Sequence, residues 1–157
     1  MIDKTTAVAF LQQTWVRDPA RTERMIARIG RRPVISGLLF ACRGFTGRRL
    51  LATLGPDLCG SITWENADPR IAGSPSARAV ADVDHMRRVL AEIEPDLAIL
   101  FGNVARDAFF QCGYLCQVAM GPHPAARQID TSARLRALRT ELETSHYEWT
   151  RKEALAQ

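Results

Sequence analysis

A chain of 157 residues, 46% of them hydrophobic, has the length and the apolar material of one ordinary domain. It holds no apolar run of 18 residues, and Asp3 and Lys4 open a polar-interrupted segment rather than a secretory signal, so neither a membrane span nor export is expected and the location predicted is cytoplasmic. Basic residues number 21, of which 19 are arginine, against 17 acidic ones; the net charge of +4 admits nucleic acid as a partner, since guanidinium suits phosphate and base edges, but a solvated basic surface accounts for it equally.

In chain order, Thr5 to Ile29 reads as two helices split at Asp18-Pro19, with Gly30 ending the second. Val34 to Ala41 is a nearly continuous apolar run of strand length and is expected to be the first buried strand. Thr46 to Gly55 repeats apolar residues at helical intervals and ends on a glycine suited to a C-cap. Cys59 to Ala67 reads as a second strand, followed by a Gly/Ser/Pro-rich loop from Asp68 to Ser76. Val80 to Ile93 is an amphipathic helix stopped by Pro95, and Asp96 to Gly102 is the strongest strand pattern in the chain. A helix over Val104 to Gln111, a stop at Gly113 and a fourth strand over Tyr114 to Met120 follow. The last helix starts near Ser132 with Leu135, Leu138 and Leu142 on its buried side, and that stripe is lost in the final dozen residues.

Alternating strands and helices predict a three-layer α/β/α sandwich around a central four-stranded, mainly parallel sheet. The whole chain is expected to be one domain, with N-terminal helices over 5–29, a core over 33–142 and a helical tail over 143–157. The four cysteines, at 42, 59, 112 and 116, are expected to be reduced and set in apolar surroundings; Cys112 and Cys116 have a metal-compatible spacing, but no second close pair or nearby histidine completes a tetrahedral set. No cofactor is expected.

Ligands of such folds bind at the carboxyl ends of the strands, here Phe40-Ala41-Cys42, Glu65-Asn66, Gly102-Asn103 and Gly121-Pro122-His123-Pro124. The two prolines stiffen the mount of His123, which reads either as a catalytic imidazole or as a turn histidine bonded to its own backbone.

The run Pro95-Asp96-Leu97-Ala98-Ile99-Leu100-Phe101-Gly102-Asn103-Val104-Ala105, with Gly121-Pro122-His123-Pro124 one strand later, resembles the C-terminal half of the uracil-DNA glycosylase superfamily. There a hydrophobic strand ends in Leu-Gly-x-x-Ala and a later strand enters a His-Pro-Ser loop. Gly44-Phe45-Thr46-Gly47-Arg48-Arg49-Leu50-Leu51 is similar to that family's Phe-x-Gly-x-x-Gly-x-x-Leu region, and Ser61 to Ala67 to the strand whose terminal Asn reads the base. The resemblance covers roughly residues 34 to 140 and implies hydrolysis of the N-glycosidic bond of a base flipped out of single- or double-stranded DNA.

It also implies roles. His123 would donate a hydrogen bond to the departing base, Asn66 would bind its Watson–Crick edge, and Phe45, or Phe40 in an alternative register, would stack on the ring. Arg127 would enter the duplex, and Arg43, Arg48 and Arg49 would meet phosphates. The plainer readings are a turn residue for Asn66, a core aromatic for Phe45 and a surface residue for Arg127.

Three departures stand out. The segment that places the attacking water in that family falls, in this register, on Ala41-Cys42-Arg43-Gly44, which has neither carboxylate nor amide; Glu65 is then the substitute base, or simply a solvated strand end. Ala125 replaces the serine after His-Pro, and the cysteine spacings do not fit the family's iron–sulfur branch. The competing expectations are therefore a glycosylase, a nucleic-acid- or nucleotide-binding protein that has lost the chemistry, and an interaction domain using its last helix.

Overall fold

The computed structural model of the chain describes residues 6–42 and 44–144. It opens not on a helix but on strand β1 (Ala7–Leu11), followed by the two-residue strand β2 (Thr14–Trp15). Every side chain of β1 is buried, and an unbroken run of five apolar residues fits a strand covered on both faces better than a helix with one polar face. The second expected helix is present as α1 (Pro19–Ile29): the Asp18 side chain accepts from the Arg21 backbone N–H at 3.1 Å, Pro19 fills the first turn, and Gly30 follows the last.

The run expected to be the first strand is helical. α2 (Arg31–Ser36) continues into a single π turn (Gly37–Ala41), closed by the Cys42 N–H on the Gly37 carbonyl at 2.9 Å. An apolar run alone does not separate a buried strand from a helix. Here the sheet already has β1 at its centre, and of the whole segment only Val34 and Ile35 are fully buried.

The remaining elements are α3 (Phe45–Thr53), α4 (Pro56–Ser61), β3 (Thr63–Asn66), β4 (Ile71–Ala72), α5 (Val83–Ile93), β5 (Leu97–Phe101), α6 (Asn103–Cys112), β6 (Gln117–Gly121) and α7 (Thr131–Thr144). The second expected strand is thus shorter than predicted, because Pro56 at a first helical turn starts α4 through Cys59. The expected tail beyond Thr144 lies outside the described residues.

Among the described residues, four strands form one parallel sheet in the order β3-β1-β5-β6, and β2 pairs with β4 separately. On one face Ala7, Ala9, Leu11, Trp64, Ile99 and Phe101 meet side chains of α3, α4 and α7; on the other Val8, Phe10, Ala98 and Leu100 meet α5 and α6. The protein is therefore a three-layer α/β/α sandwich, and β1 belongs to its core rather than preceding it. No helix among the described residues is long and apolar enough to cross a membrane.

The first face is organised by aromatic rings. Trp64 on β3 stacks on Phe101 on β5 at 5.7 Å between centroids, although β1 runs between the two strands. The rings meet because the β1 residue in register with Trp64 is Ala9, whose methyl leaves the space above it open. Phe40, in the π turn, sets its edge on Trp64 at 5.4 Å. Gly47 brings α3 against that same turn: a Cβ there would lie 1.5 Å from the Leu39 carbonyl oxygen, a backbone atom that cannot swing aside.

Two substitutions test this packing. Ala9→Leu forces the rings apart and is expected to lower the unfolding free energy by about 1–3 kcal/mol in urea titration. Gly47→Ala should destabilise by at least as much, whereas Gly60→Ala, in α4 with open space around it, should be neutral or stabilising by about 0.5–1 kcal/mol.

Candidate functional site

The carboxyl ends of the four sheet strands carry Asn66 on β3, Gln12 after β1, Gly102 after β5 and His123 beyond β6. Register aligns Asn66 with Leu11 and Phe101 with Gly121, so these ends form one even edge. From β3 to β6 the edge spans three strand spacings, about 14 Å.

Gly102 is the hinge point of the edge. Its φ of +88° favours glycine, and a Cβ there would sit 3.1 Å from the Gln12 amide nitrogen and 3.2 Å from the His123 Cβ. A side chain here would press on both Gln12 and His123, which flank this position. The Gln12 side chain makes no hydrogen bond among the described residues, which leaves its amide free at the strand edge.

His123 is half-buried, and its Nδ1 accepts a hydrogen bond from the Ala125 backbone N–H at 3.1 Å. An accepting Nδ1 carries no proton, so the neutral ring has its proton on Nε2, available to donate. Burial depresses the imidazole pKa from 6.5 to about 4, which keeps the ring neutral at physiological pH. The turn-histidine and functional readings are thus compatible: the backbone bond selects the tautomer.

Arg49 holds this loop. Its Nη1 donates to the Pro124 carbonyl at 2.9 Å and the Ala126 carbonyl at 2.6 Å, and its guanidinium lies 4.6 Å from the centroid of the Phe45 ring. Phe45 itself is 51% exposed, so it is no core aromatic; its ring stands open at the start of α3. Phe40, by contrast, is occupied with Trp64.

Asn66 is buried. It alternates with Glu65, so its side chain returns to the face of Trp64, where Nδ2 donates to the Thr14 hydroxyl at 2.8 Å and Oδ1 accepts no hydrogen bond among the described residues. Arg48 and Arg127 are exposed and without ion pairs among the described residues; Arg43 lies outside them. Two residues past Arg127, Ile129 projects fully into solvent.

The carboxylates near the edge are committed elsewhere. Glu65, expected to be a base or a solvated residue, is neither. It is 2% exposed, faces away from Asn66, receives Arg31 Nε at 2.7 Å and has His85 Nε2 at 3.5 Å. Burial opposes its ionisation, but His85, the Arg31 guanidinium and the Asn66 N–H overcome that and hold its pKa below the usual carboxylate range. Asp68, wholly buried, is treated alike: burial raises its pKa, and bonds from Arg70 and the Val80 N–H outweigh it.

Sequence reasoning missed Gln12, Thr14 and the loop-holding role of Arg49. The first two were hidden by reading Ala7 to Leu11 as helix; its five apolar residues before two glutamines carry the same signal that revealed Leu97 to Phe101. The residues that follow the structural first strand are Gln12 to Thr14, not Ala41 to Gly44. All four cysteines are unpaired; Cys59 is buried and pushed up to about 12, whereas Cys42 is exposed, contrary to the apolar surroundings expected. No three His, Cys, Asp or Glu among the described residues are placed to hold a metal ion.

Compared with known proteins, the chain matches no family model and no curated protein.

The His123 titration is directly measurable. The folded protein resists a proton that the unfolded chain accepts near pH 6.5, so the stability contributed by the neutral ring is complete above that pH and is lost as pH falls toward about 4. An NMR titration should find a midpoint near 4 for the resonances of this ring, and His123→Gln should flatten the acid limb of stability between pH 6.5 and 4.

Proposed function

We propose that the chain is a uracil-DNA glycosylase-like enzyme that hydrolyses the N-glycosidic bond of uracil, or a related modified base, in DNA. The observation that carries this reading is His123, whose Nδ1 accepts the Ala125 N–H and so leaves the ring proton to Nε2, set across Gly102 from the Gln12 amide at the carboxyl edge of the sheet.

In this reading the flipped base stacks on the open face of Phe45. The free Oδ1 of Asn66 accepts from N3–H of uracil, which cytosine lacks, and the Thr14 contact fixes the amide in that orientation. As the C1′–N1 bond breaks, its electron pair moves onto the base, and Nε2–H of His123 donates to the base oxygen where charge gathers. A water held by Gln12 supplies oxygen to C1′; one of its protons leaves to solvent, and the base takes up a proton. Because the sugar cation is a strong electrophile, orienting the water can replace a general base, at a cost of up to about 10²- to 10⁴-fold in rate. Arg48 and Arg127 meet backbone phosphates, and Ile129 is an apolar wedge for the vacated stack.

A second reading, recognition of nucleic acid without chemistry, is favoured by the engagement of both Glu65 and Asp68 in ion pairs.

Purified protein incubated with single- and double-stranded uracil oligonucleotides should leave alkali-labile abasic sites, and His123→Ala should slow this by about 10²- to 10³-fold. Gln12→Ala should lower kcat with little change in KM. Intact DNA after long incubation, with salt-dependent binding retained, would establish the second reading; absence of both cleavage and binding would end both.

A further inference from the structure

On the far side of β3 from Asn66, a cleft of about 410 Å³ opens between the start of α2 and α5. Arg31, Arg32 and Arg88 line it together with His85, and the acidic groups facing it are Glu65 and Glu92. Three guanidinium groups and an imidazole thus converge against two carboxylates. The pairing is incomplete. Arg31 spends Nε on Glu65 and Nη1 on the Pro69 carbonyl, but its Nη2 is buried with no partner. His85 is nine-tenths buried, and the nearest acceptor to its Nε2 is Glu65 at a long 3.5 Å, the contact that helps to keep Glu65 charged. Arg32 reaches Glu92 at 3.0 Å on the open rim, and Arg88 has no ion pair among the described residues.

Buried donors without acceptors are costly, and natural structures leave few of them. An unpaired Arg31 Nη2 and a His85 Nε2 held only by a long contact to Glu65, in one cleft beside an uncommitted arginine, describe a receptor whose ligand supplies the acceptors. The ligand chemistry follows from the donors. A carboxylate is satisfied by a single guanidinium fork, whereas donors arriving from α2, α5 and the β3 side suit an anion with several oxygens and up to two charges.

We propose that this cleft binds a phosphate group. The inference is independent of the glycosylase reading, since the cleft lies across the sheet from the edge that carries His123. The phosphate belongs either to a small molecule or to a nucleic-acid backbone.

Thermal unfolding of the full chain in inorganic phosphate, against sodium chloride of equal ionic strength, tests it. Phosphate should raise the midpoint by several degrees, sodium acetate by clearly less. Arg88→Ala, which removes an exposed side chain without an ion pair among the described residues, should weaken phosphate binding about tenfold, and Arg136→Ala on α7 should leave it unchanged. Equal shifts from chloride or acetate, or a phosphate shift that survives Arg88→Ala, would overturn the proposal. The source is read from a parallel titration with an undamaged oligonucleotide: weaker binding by Arg88→Ala assigns the backbone, and unchanged binding assigns a small-molecule phosphate.

Discussion

The contact on which the molecule depends is the stack of Trp64 on Phe101 across Ala9. It joins two strands that do not touch, and it is possible only because the strand between them carries a methyl at that position. From it the edge is measured out in single residues. Asn66 follows Trp64 by two positions, and Gly102 follows Phe101 directly. Gly121 lies beneath Phe101, where a Cβ would be 3.5 Å from the ring, and leads in two residues to His123. Phe40 ties the π turn to the same stack, and Gly47 ties α3, with Phe45 and Arg49, to that turn. A packing decision in the core thereby becomes the spacing of the polar groups above it.

Burial has opposite electrostatic results on the two sides of the sheet. His123 is withdrawn from water with no carboxylate beside it, so the neutral form wins and the ring becomes a hydrogen-bond donor without net charge. Glu65 is withdrawn more completely, but Arg31 and His85 accompany it, so the charge survives. A neutral donor suits a site where negative charge appears only during reaction, and a maintained ion pair with spare donors suits one where the charge arrives with the ligand.

Much of this was legible from local pattern. α1, α3, α5, α6 and α7 announced themselves through caps and helical stripes, and β5 through five apolar residues between a proline and a glycine. The failures came where pattern is degenerate. Ala7 to Leu11 and Val34 to Ala41 are both apolar runs of strand length, and which of them enters the sheet is decided by competition for its centre, a tertiary matter. His123 and Asn66 were visible because turn prolines and a strand end mark them. Gln12 was not, since its meaning depends on β1 being a strand. The tautomer of His123 and the grip of Arg49 rest on contacts that no spacing encodes.

The central position of β1 has a consequence for how the chain is made. Thr6, at its threshold, bonds to Asp96, 90 residues further on, and β1 stays uncovered on one side until β5 is available. During synthesis its five apolar residues must wait through most of the domain before their second neighbour emerges, a long-range closure of the kind that slows folding and exposes nascent chains to misassociation. The strand that local pattern does not tell from a helix is the one whose protection on the ribosome matters most.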